Sequence, residues 1–593
     1  MIAEQPKAAS SVNSNGSRWY EMPAERASEA LVASLKLNGV DRIWFVSGSE
    51  LSFFQEAAVK HHALGKPTPD IMTMTHENAA LAAASAETVI TGRPSAVVCH
   101  VECGLMNAGG AIHNASRGQY PVLLMSGYPP SADGRYVEGG RNSYIQWFQQ
   151  IRDQGELVRQ YMKWDHKLAS YDNPGAVITR ALQVALSEPR GPAYMALPRE
   201  ATVAHTETAR FPLLDQLRPA ITPYADPEQL RQAAVWLLEA EHPVICAGRY
   251  GRNPKAVPAL LELAELLGAP IQGDEYRMTV PGWHPLARSA AGRGPTPAGA
   301  DCLLVIDTVV PWDPHTFDPG PDVKVIRLDL DPVVSMTPIY TDFPCDLPIT
   351  ADSAKAVPQL IEEIKARMTP DQKRRCEARL ETLRAEGQRR YEAYVEAAEA
   401  DRARGIISGR WLSHQIGQTL DPEGIIIHEL CDNSGFNRSV PGTLIGTGGS
   451  SIGWAAGASV GVKVAAPDKQ VVCSLGDGSW MFGNPQVATW ASKFHKAPVL
   501  FIIHNNRGYR TGTVEVLHSF PEGYAAKATD LTGGWFDPCP DYSGEARGSG
   551  YYGEKVTDPN EVAPAIRRGL QACADGTPAV LDMWMPKLVT GEV

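Results

Sequence analysis

Short apolar runs alternate with helix-period segments in three successive blocks of the chain. In the first block RIWFV, SAVVC (95–99), PVLLMSG (121–127) and PAYMAL are strand-like. The stretches AERASEALVASLKLNGV, Glu77 to Val89 and GAVITRALQVALSE between them carry helical spacing. The runs lack the polar alternation of a half-exposed strand, so they predict strands buried on both faces, as in parallel sheets flanked by helices. The second block repeats the rhythm with PVICAG (243–248), AVPALLELAELLG, DCLLVIDT (301–308) and VKVIRLDLD (323–331), and the third with GIIIHEL (424–430), QVVCSL (470–475) and PVLFIIH (498–504). The expected fold is α/β, with three doubly wound parallel-sheet domains over residues 20–205, 220–368 and 405–593. A Pro-rich joint, RPAITPYADPEQL, separates the first two. The charged stretch from about Pro370 to Arg404 predicts a solvated linker helix before the third. The polar start, MIAEQPKAASSVNSNGSRWYEMP, reads as a loose arm without the apolar core of a secretory signal. The first and third blocks have similar lengths, which leaves an internal pair open.

The net charge of -12 over 593 residues excludes a general nucleic-acid or anionic-membrane binder. No apolar run approaches the roughly 18 residues that span a bilayer, and a cytoplasmic location is expected. The ten cysteines show neither a CxxC pair nor a zinc spacing, and Cys99 and Cys103 in CHVEC read with the rest as buried, unpaired thiols.

Chemistry enters with QVVCSLGDGSWMFGNPQVATWASKFHKAPVLFIIHNNRGY. Asp477 ends one strand-like run, and Asn505 and Asn506 end the next. In a parallel sheet both ends fall on the carboxyl edge, where ligands bind. Gly476 and Gly478 let backbone approach an anion closely, and an Asp with an Asn amide and a carbonyl supplies the hard oxygens Mg²⁺ prefers beside a phosphate.

This strand–helix–strand segment, with GDGS at 476–479 and NNRGY at 505–509, resembles the signature of the thiamine diphosphate enzymes. The resemblance extends over nearly everything after residue 20 and is nearest the acetolactate synthase-like branch. It is carried further by His76-Glu77 in MTHENAALAAASAE, by IWFVSGSELSFFQEA, and by HVECGLMN (100–107), which keeps Gly104 and Asn107 but has Cys103 where proline is usual. GRYGRNPKAV, DTVVPWDP and VIRLDLDPVVSMTP look like the branch's central domain.

The resemblance implies a pyrimidine-binding domain, a central domain and a diphosphate-binding domain, with thiamine diphosphate and Mg²⁺ held between two subunits of a homodimer or homotetramer. Asp477, Asn506 and the Gly508 carbonyl would bind the metal, Asn505 being the weaker ligand. Gly476, Gly478, Ser479, Tyr509 and Asn433 would lie along the cofactor. Glu77 would hydrogen-bond the pyrimidine ring and drive proton removal from the thiazolium. Ile452 in GSSIGW would be the apolar wedge under the bent cofactor, and the Ser450 carbonyl would accept from its amino group. Ser49, Glu50, His76, His113, Gln119, Tyr509 and Arg510 are substrate-pocket candidates. Arg249 and Arg252 could hold a nucleotide phosphate, but surface solvation is the favoured explanation for both. FAD, ADP and CoA are alternatives for the central domain.

The implied activity makes or breaks a C–C bond beside a carbonyl through a thiazolium carbanion. Decarboxylation and carboligation of 2-oxo acids leads. A 2-hydroxyacyl-CoA lyase acting on a 2-hydroxyacyl thioester is the alternative, benzaldehyde lyase-type or simple decarboxylase activity stays open, and a catalytically silent member is a second alternative. Retention of Glu77, Asp477 and Asn506 together argues against silence.

Overall fold

The computed structural model describes residues 18–273, 276–288, 297–335, 341–536 and 538–587. The apolar runs form three six-stranded sheets, each parallel throughout. The first contains β2 (Arg42–Phe45), β3 (Asp70–Thr73), β4 (Ser95–Cys99), β5 (Val122–Tyr128), β6 (Trp164–Lys167) and β7 (Ala193–Pro198), in the order β3-β2-β4-β5-β7-β6. The middle sheet contains β9 (Pro243–Ala247), β10 (Ile271–Gly273), β11 (Ala287–Arg288), β12 (Cys302–Ile306), β13 (Lys324–Asp329) and β14 (Leu347–Thr350), in the order β11-β10-β9-β12-β13-β14. The third contains β15 (Ile425–Glu429), β16 (Leu444–Ile445), β17 (Val471–Gly476), β18 (Leu500–Asn505), β19 (Tyr552–Val556) and β20 (Ala579–Trp584), in the order β16-β15-β17-β18-β20-β19. Counted from its own first strand, the third sheet repeats the order of the first, and the middle sheet does not. That shared order gives the internal pair a topological form.

The start of the chain corrects one expectation. Tyr20–Pro23 is a strand, β1, paired antiparallel with β8 (Thr208–Phe211), so the loose arm does not extend to Pro23; residues 1–17 lie outside the described residues. Tyr20 and Phe211 seal this ribbon with ring centroids 5.5 Å apart.

The first and third sheets share one core, built around two helices, Glu77–Thr91 and Ala455–Ala465. Both are rich in alanine, and Gly457 and Gly461 face Ala79 and Ala83. A Cβ at Gly461 would sit 2.1 Å from the Ala83 carbonyl oxygen, so only glycine permits this backbone approach. The middle sheet keeps a separate core of Leu, Ile, Val and Ala.

The charged stretch forms one helix, Pro370–Ala403, opened by a Thr369–Gln372 capping box. It is mostly solvated but fastened to the middle unit: Arg379 donates to the Leu267 and Ala240 carbonyls, and Arg390 to those of Ala287 and Pro285. The described cysteines are all free thiols; Cys103 and Cys345 are exposed, which corrects the uniformly buried reading. Among the described residues no helix is long and apolar enough to cross a membrane.

Candidate active site

The third sheet changes winding direction between β15 and β17, and the ends of β15, β17 and β18 open one crevice at the carboxyl edge. Asp477 follows β17 and starts the helix Asp477–Phe482; it is 2% exposed. Its Oδ1 accepts from the Gly478 N–H at 2.8 Å and its Oδ2 from the Gly508 N–H at 3.1 Å. Asn506 Oδ1 accepts from the same Gly508 N–H at 3.1 Å. Asp477, Asn506 and Gly508, from two loops 29 to 31 positions apart in the chain, thus converge on one point. Burial pushes the Asp477 carboxyl up to about 6 against the backbone N–H groups that favour its charged form.

Asn505 has another task. Its Nδ2 donates to Asp582 Oδ1 at 2.7 Å and its Oδ1 accepts from the Arg507 N–H, so this fully buried amide braces the loop from behind. Arg507 takes a left-handed φ of 61°, donates to the Met585 carbonyl, and lies 4.4 Å from the Trp584 ring centroid. The Gly508–Trp535 bridge and the Tyr509 N–H to Gly534 carbonyl bond, 2.7 Å, pin the loop from the other side. A Cβ at Gly478 would lie 2.6 Å from the Tyr509 ring, which packs edge-on to Phe536. Gly476 takes an extended φ of −67° beside the Leu430 carbonyl, and Ser479 is buried one residue past Gly478.

The loop Gly446–Gly453 closes the other wall. Glu429, at the end of β15 and 2% exposed, accepts from the N–H groups of Gly453, Trp454 and Ala455, while burial pushes its carboxyl upward. Ile452 is half-buried at the tip, and Ser450 is exposed. Asn433 sits in a turn beyond β15, its carbonyl accepting from the Phe436 N–H. Arg510 is exposed at the start of the helix Arg510–Ser519.

In the first sheet, Glu77 is the first residue of its helix, 6% exposed, and accepts from Asn107 Nδ2 at 3.1 Å. A Cβ at Gly104 would lie 3.0 Å from Glu77 Oε1, so the retained Gly104 and Asn107 both serve this carboxylate. His76 caps the helix, its Nδ1 accepting from the Asn78 N–H at 3.2 Å.

The substrate candidates divide into two groups. Ser49 and Glu50 meet His100, which sequence reasoning passed over although it directly follows β4. The Ser49 hydroxyl donates to Glu50 Oε2 at 2.8 Å, and His100 Nδ1 lies 3.2 Å from the same oxygen. Gly48 is required there, because its Cβ would fall 2.2 Å from His100 Nδ1. Gln146 and Gln149 close on Glu50 and His100 at 3.5 and 2.8 Å. His113 and Gln119 lie elsewhere, beside Ser450 in a cavity of about 1730 Å³ that runs to the carboxyl edge of the middle sheet. His113 Nε2 takes the Ser450 N–H at 3.2 Å.

That cavity also corrects the reading of Arg252 as a solvated surface group. Its side chain is 24% exposed and pairs with the buried Asp307 at 2.9 Å; Arg249 lines the same space.

The donors fit the group the motif implies. Asp477, Asn506 and Gly508 offer one carboxylate, one amide oxygen and one carbonyl, a hard but incomplete set of the kind a diphosphate completes around Mg²⁺. A Cβ at Gly476 would meet the Leu430 carbonyl at 3.0 Å and one at Gly478 the Tyr509 ring at 2.6 Å, so glycine lets the backbone beside these donors pack closely.

Comparison with known proteins agrees. The model of the thiamine pyrophosphate enzyme N-terminal binding domain matches residues 25–157, and that of the C-terminal binding domain matches residues 432–583. A probable acetolactate synthase of Mycobacterium bovis is 25% identical over 94% of this chain and 95% of that protein. Benzoylformate decarboxylase of Pseudomonas aeruginosa is 25% identical over 84% of this chain and 89% of its own length. The solved thiamine diphosphate-dependent 4-hydroxybenzoylformate decarboxylase of Rhodococcus jostii has the same fold, with a TM-score of 0.73 at 20% identity over 95% of this chain and 99% of that one. With both binding modules in place around the loops described above, the chain belongs to the thiamine diphosphate-dependent enzymes, in their acetolactate synthase-like branch.

Proposed function

We propose that this enzyme is a Mg²⁺-dependent decarboxylase and carboligase of 2-oxo acids. The convergence of Asp477, Asn506 and Gly508 at the turning point of the third sheet carries the reading. Asp477, Asn506 and the Gly508 carbonyl would hold the metal, with Gly476, Gly478, Ser479 and Tyr509 along the diphosphate. Ile452 would support the cofactor from below, with Asn433 and the Ser450 carbonyl beside it. When bound, thiamine diphosphate supplies a nucleophilic carbon and an electron sink for bonds next to a carbonyl. Glu77 holds or releases a proton at Oε1 or Oε2, and Asn107 fixes the carboxylate's orientation. Glu50 and His100, with Ser49, form the polar wall at which a substrate carboxylate or carbonyl would sit.

The three sheets would then be the pyrimidine-binding, central and diphosphate-binding domains over 20–205, 220–368 and 405–593. A second copy would complete each site. Exposed Tyr144, Trp147, Phe148, Phe482 and Phe520 support an apolar surface available for that assembly. The central cavity, with Arg249 and Lys255 on its wall, suits a nucleotide such as FAD, ADP or CoA.

A second reading is decarboxylation without carboligation. The His100–Glu50 pair favours it, because an imidazole and a carboxyl group side by side at 3.2 Å are the residue types suited to proton transfer at a pocket wall. The relatives named as benzoylformate decarboxylases support the same reading. The test is purified enzyme with Mg²⁺ and thiamine diphosphate, given pyruvate, 2-oxobutyrate and benzoylformate separately, with products followed by NMR. Acyloin or acetohydroxy-acid products support the first reading and aldehyde alone the second. No consumption of any 2-oxo acid, with cofactor bound, rejects both.

A further inference from the structure

Ile452 is bracketed by two asparagines that belong to the other half of the fold. On one side, Asn114 reads the backbone of Ser451 twice: its Oδ1 accepts from the Ser451 N–H at 3.1 Å and its Nδ2 donates to the Ser451 carbonyl at 2.8 Å. On the other, Asn78 Nδ2 donates to the Gly453 carbonyl at 3.2 Å, while its Oδ1 accepts from the Ala111 N–H at 3.0 Å. Asn114 is 1% exposed and Asn78 is 8% exposed, so these amides are not solvent-exchanged surface contacts. Glycine makes the approach possible. A Cβ at Gly449 would fall 2.5 Å from Asn114 Oδ1, and one at Gly110 would fall 2.3 Å from Ser451 Oγ. The third sheet's own Glu429 takes the Gly453 N–H, so the residue after Ile452 is held from both units.

Asn78 directly follows Glu77. The same helix start therefore presents the carboxylate and grips the residue behind the apolar tip. We infer that Asn78 and Asn114 are positioning residues for Ile452: they hold the Gly449–Gly453 backbone so that Ile452 stands at one fixed height, and Asn78 couples that height to the placement of Glu77. Two buried amides satisfied by backbone at both ends hold a loop more rigidly than apolar packing, because a shift of either partner leaves a buried donor or acceptor unpaired. This inference rests on Ile452 as the cofactor support proposed above.

The test compares Asn114→Ala, Asn114→Asp, Asn78→Asp and Ile452→Ala with the wild type, full-length, in the presence of Mg²⁺. Three quantities are read: hydrogen exchange of the Gly449–Gly453 amides, thiamine diphosphate affinity by intrinsic fluorescence, and the kcat and KM of whichever 2-oxo acid is turned over. Asn114→Ala should speed exchange of the Ser451 amide at least tenfold and weaken cofactor binding about tenfold, which corresponds to about 1.4 kcal/mol. It should lower kcat with little change in substrate KM. Asn114→Asp keeps the acceptor for the Ser451 N–H but sets a buried carboxylate oxygen against the Ser451 carbonyl, so it should weaken cofactor binding at least as much as Ala while leaving Ser451 exchange slower than in Ala. That near-isosteric variant also gives a readout should the alanine variant fail to fold. Asn78→Asp should release Gly453 and lower kcat similarly. Unchanged Ser451 exchange and cofactor affinity within twofold in both Asn114 variants would overturn the positioning role. If Ile452→Ala itself leaves cofactor affinity and kcat unchanged, the support reading is what fails, and this inference falls with it.

Discussion

Asn107 Nδ2 donates to Glu77 Oε2 at 3.1 Å, linking the end of the short helix after β4, Glu102–Asn107, to the first residue of the helix that follows β3. The pair brings together two positions thirty residues apart in the chain. A hydrogen bond to a charged group contributes about 1.5–3 kcal/mol, so Asn107→Ala should lower kcat/KM roughly tenfold or more by letting the carboxylate wander. Glu77→Gln keeps the shape and the hydrogen bond but cannot carry a proton, and should lower turnover by about 10²–10⁴ with the melting temperature nearly unchanged. Steady-state kinetics beside thermal unfolding checks both; a Gln variant with normal turnover would remove Glu77 from the mechanism.

Asp477 makes metal loading pH-dependent. Its carboxyl is pushed up to about 6 by burial, and the metal requires the charged form. One competing proton of that affinity should weaken apparent Mg²⁺ binding about tenfold between about pH 7 and about pH 5. The stability effect has the opposite sense. A carboxyl whose folded value lies above its unfolded value binds its proton more tightly in the fold, so the metal-free protein is relieved of a penalty as pH falls through about 6. Asp582, also pushed up to about 6, moves the same way, so wild type alone does not separate them. Asp477→Asn removes the first contribution but turns an NH₂ donor towards the Gly478 or Gly508 N–H, a cost that does not change with pH. It should abolish Mg²⁺ binding in calorimetry, and its metal-free melting temperature relative to wild type should fall as pH drops from about 7 to about 5.

The fate of the two adjacent asparagines shows what the chain makes legible. Strand ends are readable because apolar runs stop where the ligand edge begins, and β4, β17 and β18 place Cys99, Asp477 and Asn505 within a residue of the expected ends. Which asparagine faces the crevice depends on Asp582, which arrives on β20 from 77 positions away and claims Asn505. No local pattern carries that. His100 and Glu429 were readable by the same strand-end rule that found Asp477, since each stands at the edge of its sheet. Asn114 left no such signal: a side chain that grips another loop's backbone leaves no spacing of its own. His113 and Gln119 are polar in the right region, yet they follow the helix Gly109–Arg117 away from β4 and so line the central cavity instead.

Gly478 tests how closely the loop packs beneath Tyr509. A Cβ there would lie 2.6 Å from the Tyr509 ring, whose neighbour Phe536 stands at 4.6 Å between centroids. Overpacking of this kind costs about 1–3 kcal/mol, but Tyr509 is 41% exposed and can swing outward. Gly478→Ala should therefore fold with a modest loss of stability. It should lose most of the melting-temperature increase that Mg²⁺ and thiamine diphosphate give the wild type. An undiminished increase would show that the diphosphate lies away from Gly478.

Glu429 separates architecture from chemistry at the same edge. Its two oxygens accept three backbone N–H groups at the start of the Ala455–Ala465 helix, with negligible exposure, and no substrate candidate touches it. Burial pushes this carboxyl upward, whereas the N–H groups and the positive end of the helix favour its charged form. Glu429→Gln would replace one acceptor oxygen with an NH₂ donor facing backbone donors. Leaving a buried partner unmet costs about 1–3 kcal/mol, more for a charged group, so the variant should melt several degrees lower in the metal-free state. Because the loss arises in the Gly453–Ala455 backbone, it should persist when cofactor and Mg²⁺ are saturating. Equal melting temperatures for Glu429→Gln and wild type would mean that the helix start finds its hydrogen bonds elsewhere.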